Sequence, residues 1–376
     1  MTEQKILDFI EENKELQLKL LKELCDIPAP SHHEEKRAEY IKAYLESLGA
    51  KGVYIDEALN VVYPYNCEGS NNLTVIEAHT DTVFPDLEPM PLVEDGNLLK
   101  APGVGDDTAS VTSVLLTVKY FLENKIEAKN GILFVLNSCE EGLGNLKGTR
   151  QLMKDYEGRI KRLLTADAKI GHSSIGCVGS HRYLVTVNTI GGHSFGAFGV
   201  ENALAELSKI ITKIYEIEVP QVEGSRTTYN VGTVSGGTSV NTIAQTAQML
   251  CEYRSSDVEC LAIMKEKFEK IFNDVRTDRV KVDVELVGER PCTKAGTNNK
   301  ELAKMMGDIV LDVTGKELKT HSSSTDCNIP MSMGIPAISF GTYVGGGTHT
   351  RQEWIEKDSL PVGMEIIIRA ALEMAK

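Results

Sequence analysis

Four short apolar runs of this chain each lead into a histidine or a carboxylate. Leu73 to Ala78 precedes His79, Gly131 to Leu136 precedes Glu140-Glu141, Arg162 to Ala166 precedes Asp167, and Ile335 to Phe340 leads through Gly345-Gly346-Gly347 to His349. Runs of this length and composition read as strands buried on both faces, and such strands need helices above and below them. Between the first two runs, Ala109 to Leu122 places Val111, Val114, Leu115, Val118 and Phe121 on one helical face. Strand, helix, strand predicts an α/β fold whose mixed sheet is mostly parallel, with helices on both faces. In open sheets of this kind ligands bind beyond the carboxyl ends of the strands, so the polar residues ending these runs would line one crevice.

A different pattern interrupts this series after Gly179. Tyr183 to Ile190 alternates as a strand, Glu201 to Ile217 reads as a helix, and Thr227 to Val234 and Gln248 to Arg254 read as strands. Val258 to Val275 follows as a helix and Val280 to Val287 as a strand. The order βαββαβ is that of a small α+β domain. From Glu301 the first pattern resumes, with a helix near 301 to 313, a Ser-rich loop and a closing helix from Ser359 to Met374. The expected organisation is one domain, 1–180 and 290–376, interrupted by another at 181–289.

The chain's beginning carries Ile6, Phe9, Ile10, Leu18, Leu21 and Leu24 at helical spacing among Glu and Lys, an amphipathic helix without the apolar core of a signal peptide. The expected setting is cytoplasmic, and the eight scattered cysteines, with no Cys-x-x-Cys pair, read as free thiols. Ser31-His32-His33-Glu34 has the form of a capping box and predicts a helix from about 32 to 48. Acidic residues exceed basic ones by 54 to 40, which excludes a chain that wraps a nucleic-acid backbone. No segment approaches a membrane span, and neither the glycine-rich nucleotide-binding motifs nor a Gly-x-Ser-x-Gly elbow is present.

Each polar strand end has an ordinary alternative. His79-Thr80-Asp81 would make a local hydrogen-bonded pair as readily as a metal ligand and its orienting acid. Asp106 and Asp107, after Gly103 and Gly105, would also serve as helix caps. Glu140-Glu141 reads as a solvated loop or as two carboxylates of which one binds a cation while the other stays free as a base. Taken together, two histidines and three or four carboxylates without a thiolate form a site for two divalent ions, zinc first, with cobalt or manganese also compatible.

In order along the chain, His79-x-Asp81, Gly105-Asp106-Asp107, Glu140-Glu141, Asp167, Gly191-Gly192-His193 and His349 resemble the motifs of the M20 family of metallopeptidases and related deacylases. The resemblance spans nearly the whole chain. It implies a catalytic domain with two zinc ions and an inserted lid that also forms a homodimer. His79 and Asp167 would hold one ion and Glu141 and His349 the other, with Asp106 bridging across a cis Asp106-Asp107 bond. Glu140 would be the general base, Asp81 the partner of His79, and His193 a donor to the oxyanion supplied by the other subunit. Asn241 and Arg254 match substrate-binding positions, although Glu252 stands where many relatives carry Asp two residues before the arginine. Thr325-Asp326 would shape the pocket, and His32, His33, His172, His181 and His321 match no role.

The expected activity is that of a dinuclear zinc exopeptidase on short peptides. Ser324-Thr325-Asp326 and the segment from Thr348-His349 to Glu353 resemble the tripeptide aminopeptidase branch. The alternatives are an N-acyl-amino-acid deacylase or carboxypeptidase with the same mechanism, and a non-catalytic metal-binding protein, for which a ligand or base should be missing. None is.

Overall fold

The computed structural model describes residues 3–376. The chain forms two compact units, one made of the residues up to Cys177 together with Lys294–Lys376, the other of Val178–Thr293.

The first unit is built on an eight-stranded sheet. Its spatial order is Tyr54–Ile55, Val61–Tyr65, Ile132–Asn137, Leu73–His79, Ile160–Thr165, Ala337–Phe340, His172–Cys177 and Lys319–Ser323. The four apolar strands at its centre, from Ile132–Asn137 to Ala337–Phe340, are mutually parallel. Antiparallel pairings flank them on both sides, so the sheet is mixed. Strand alternation divides the core. Ile76 and Ala78 join Phe134, Ile41, Val114, Tyr120, Met306 and Ile367 on the face covered by helices Glu35–Ser47, Ser110–Glu123, Lys300–Thr314 and Ser359–Ala375. Leu73 and Val75 pack on the other face with Leu133, Leu163, Leu152 and Met331, under helices Lys147–Asp155 and Asn328–Ser332. Each fully buried Leu, Ile, Val, Met or Phe among them contributes about 1.5–3 kcal/mol by leaving water, which is why unbroken apolar runs become the middle of the sheet.

A small antiparallel sheet in the same unit joins Gly345–Gly346, Trp354–Glu356, Leu98–Lys100 and Val93–Asp95. It holds the loop that carries His349 against the segment that carries Asp106. The closing helix approaches this region closely: a Cβ on Gly363 would lie 1.9 Å from the Thr342 carbonyl oxygen.

Three local expectations change. The helix after Ser31 begins at Glu35, with no side-chain cap. Instead, the Ser31 hydroxyl donates to Asp81 Oδ2 at 2.6 Å, and Glu34 Oε1 accepts the Cys139 N–H at 3.0 Å. Asp107 is not a cap for the helix Ser110–Glu123 either; its Oδ2 accepts the N–H of His79 at 3.1 Å. The Ser-rich stretch is a strand in part, Lys319–Ser323, paired in parallel with His172–Cys177.

The second unit is an antiparallel sheet in the order Thr227–Gly236, Thr246–Ser255, Gly179–Asn188, Lys281–Arg290, with helices Ala203–Tyr215 and Val258–Asp274. Their apolar faces enclose a separate core around Val185, Val187, Leu207, Met249, Tyr253 and Phe268. Both helices are capped from their own sequence, by Asn202 and Asp257. All eight cysteines of the chain are free and buried. Among the described residues, no helix is long and apolar enough to cross a membrane.

Candidate metal centre

Asp106 stands between two imidazoles. Its Oδ1 lies 3.0 Å from His79 Nε2 and its Oδ2 lies 3.1 Å from His349 Nε2, which is also 3.1 Å from Glu141 Oε1. One ligand atom each from His79, Asp106 and Glu141 falls within 4.8 Å of the others. The strand Leu73–His79 delivers the first histidine, and the irregular helical segment Val104–Ala109 delivers Asp106, with the Asp106-Asp107 peptide bond cis. His349 comes from the loop of the small sheet at a left-handed φ of 64°.

Asp81 organises the neighbouring acids. Its Oδ1 accepts the N–H of Glu140 at 2.9 Å and its Oδ2 that of Glu141 at 3.0 Å. It also lies 3.5 Å from His79 Nδ1, but the shorter contact of that nitrogen, 3.1 Å, is with the Asp81 carbonyl oxygen. Either way Nδ1 is engaged and Nε2 is the nitrogen turned toward Asp106. Behind this strand end, the buried Arg37 guanidinium donates to the carbonyls of Thr80, Leu24 and Ile27 at 2.7–2.8 Å.

The electrostatics follow from burial. Burial opposes a charge on Asp106, yet the bonds from His349 and His79 hold its carboxyl below the usual range. Hydrogen bonds to Asp106 and Glu141 lift His349 to about 10. Burial raises Glu141 to about 7, against the lowering effect of the His349 bond. Asp167, beyond the end of strand Ile160–Thr165, is pushed well above its ordinary value by burial and then by the charge of Asp106. Asp326 rises to about 7 through burial and then the Glu140 charge, while Thr149 and Asn137 donate hydrogen bonds to it.

These residues fit a metal group. Imidazole nitrogens and carboxylate oxygens without thiolate suit zinc, cobalt or manganese. One carboxylate that turns an oxygen to each of two imidazoles has the disposition of a bridge, and the surrounding buried acids form a concentration of negative charge that divalent cations offset. Asp167 lies outside the tight trio but within electrostatic reach of Asp106 and His79.

The second unit carries the other three expected residues. His193 and Asn241 share one ribbon, in which Gly192–His193 pairs with Thr242–Ile243 and the Asn241 carbonyl accepts the Ser194 N–H at 2.9 Å. His193 Nδ1 accepts the N–H groups of Phe195 and Gly196, each at 3.3 Å. Arg254 is not beside them. It lies eight residues along its strand from Thr246, about 27 Å at the usual strand rise, and its guanidinium grips Glu252 through two bonds of 2.7 and 3.1 Å.

Sequence reasoning assigned no part of the site to Ser31, Glu34 or Arg37, and none to the carboxylate of Glu353. Glu353 accepts the N–H groups of Gly103, Gly105 and Asp106 at 2.8–3.0 Å. A buried Arg and Glu in a chain of ordinary composition carry no local signal of the distant groups that they meet.

The model of peptidase family M20/M25/M40 matches residues 75–373. Over 342 residues, 89% of this chain and 90% of the relative, the chain is 27% identical to a succinyl-diaminopimelate desuccinylase of Corynebacterium glutamicum. Its fold is shared with a tripeptidase from Staphylococcus aureus, at a TM-score of 0.76 and 22% identity over 96% of this chain and 99% of that one. It is shared likewise with aminopeptidase PepT from Bacillus cereus, at 0.74 and 20% over 97% and 99%. With the family's model running through every strand end that carries the site, the chain belongs to peptidase family M20/M25/M40 and is a hydrolase of that family.

Proposed function

We propose that the protein is a dinuclear zinc-dependent exopeptidase that hydrolyses amide bonds of short peptides. The observation that carries this reading is Asp106, one oxygen toward each of His79 and His349, with Glu141 against the second imidazole. His79 and Asp167 would hold one ion, Glu141 and His349 the other, and Asp106 both. When bound, such ions would supply Lewis acidity, lowering the pKa of the attacking water and polarising the scissile carbonyl. Glu140, its backbone held on Asp81, takes the proton of the attacking water and passes it to the leaving amine. His193 has its Nδ1 occupied as an acceptor, so its proton resides on Nε2, ready to donate to the oxyanion. In this reading the unit Val178–Thr293 acts as a lid and dimerises, a second copy supplies His193 with the neighbouring Asn241, and Arg254, too far along its own strand to join them, binds substrate from the other copy, exchanging Glu252 for a substrate carboxylate. The eight free thiols suit a reducing cytoplasm.

The desuccinylase relative supports a second reading, an N-acyl-amino-acid deacylase with the same mechanism. Hydrolysis of a tripeptide, a C-terminal peptide series and N-acetyl and N-succinyl amino acids by the zinc-loaded protein separates the two. Cleavage of the acylated substrates alone would remove the exopeptidase reading.

A further inference from the structure

We propose that Glu353 is a positioning residue that sets Asp106 in its bridging place; this rests on the reading of Asp106 as the bridge. Glu353 is 1% exposed, and both oxygens of its carboxylate accept backbone N–H groups. Oε1 accepts the N–H groups of Gly105 at 3.0 Å and Asp106 at 2.9 Å, and Oε2 that of Gly103 at 2.8 Å. Three of four successive amides of the segment bearing Asp106 thus end on one side chain. The segment is shaped to permit this. A Cβ on Gly105 would meet the Tyr343 ring at 2.6 and 2.8 Å and Glu353 Oε1 at 3.0 Å, and Gly103 takes a left-handed φ of 71° with Thr82 2.6 Å from where its Cβ would be.

The other end of the arrangement makes the role specific to Asp106. Glu353 lies four residues after His349, on a loop closed by the Thr350 N–H on the Gly347 carbonyl at 2.9 Å and by the Glu353 N–H on the Thr350 carbonyl at 3.2 Å. The strand that follows, Trp354–Glu356, pairs with Leu98–Lys100 just ahead of the glycines. One short stretch of chain therefore holds Asp106 twice, by its side chain through His349 and by its backbone through Glu353. The two grips fix the direction of the carboxylate, and with it the sharing of its oxygens between the two imidazoles.

A carboxylate only accepts hydrogen bonds, whereas an amide has one accepting oxygen and a donating NH2. Glu353→Gln keeps the volume and turns a donor against a backbone N–H, so it disturbs this grip alone. The wild type and E353Q, stripped of metal, are titrated with Co2+ by absorption, their saturated metal content is measured by mass spectrometry, and kcat and KM are determined on a cleaved substrate. E353Q is expected to bind at least one ion about ten- to a hundredfold more weakly and to lose kcat to a similar extent, with KM nearly unchanged. Glu353→Asp, which keeps the charge but shortens the reach, should recover part of both losses and carries the comparison if E353Q does not fold. Wild-type affinities and kcat in E353Q, a change confined to KM, or failure of both variants to fold would overturn the proposal. A wild type that saturates at one ion removes the bridge itself, and the role of Glu353 with it. Two ions in the wild type beside an unperturbed E353Q remove the role of Glu353 alone.

Discussion

Glu140 and Glu141 are adjacent, and their backbone N–H groups rest on the two oxygens of one carboxylate, Asp81. Glu141 meets His349 Nε2 at 3.1 Å, and the proposed base is its neighbour Glu140. Glu140→Gln should lower kcat about 10²- to 10⁴-fold with metal content unchanged, as measured by turnover and elemental analysis. A second prediction concerns pH. In the metal-free protein His349 is held at about 10, above the usual 6.5, and Glu141 at about 7, above the usual 4.5. Both groups bind more protons folded than unfolded. The His349 contribution is complete below 6.5 and is lost as pH rises through about 10, while Glu141 loses stability from 4.5 through about 7. The metal-free protein should therefore melt at progressively lower temperature toward alkaline pH, and apparent metal affinity should rise along the same path because the ion displaces the His349 proton. Thermal melts and metal titrations across that range check both signs. His79, Asp106, Glu141 and His349 were legible because each follows an apolar run or a glycine pair. Ser31 and Glu34 misled because Ser-x-x-Glu is also how helices are capped, and here tertiary partners, Asp81 and Cys139, outbid the local ones.

At the level of elements, the parallel centre of the sheet was readable for the same reason that it is stable: Leu73–His79 and Ile132–Asn137 are buried along their whole length. The edges were not. His172–Cys177 and Lys319–Ser323 have no apolar periodicity, and their extended form comes from pairing, with one another and, for His172–Cys177, with Ala337–Phe340, rather than from their residues. Helix glycines allow a test of packing against propensity. Gly→Ala in a helix interior is favourable by about 1 kcal/mol on propensity alone. At Gly307, where a new Cβ meets nothing within 4 Å, G307A should raise Tm. At Gly363, where it meets the Thr342 carbonyl oxygen at 1.9 Å, G363A should instead cost about 1–3 kcal/mol or more and lower Tm. Calorimetry of the two variants reads opposite signs from one substitution.

On the scale of the whole molecule, the interrupted order of the chain is a statement about cores. Val178–Thr293 encloses its own cluster around Tyr253 and Phe268 and has its own helix caps, so it should fold when expressed alone, giving a cooperative melt and a mixed helix and strand spectrum. On the proposed role of His193 as an oxyanion donor, His193→Ala in the full chain should lower kcat by about 10²-fold without altering metal content.

The core of the first unit is finished late. Met364, Ile366, Ile367, Ile368, Ala370 and Ala371 of the closing helix are fully buried against the sheet and its neighbouring helices. Every residue of the metal centre, Glu353 included, precedes that helix in the chain. A ribosome that stopped before Ser359 would thus release a polypeptide with all the ligands written into it and a sheet face left open to water. In a cell such a product would be a client for chaperones and proteases, so a late nonsense mutation should be as inactivating as one that deletes the ligands themselves.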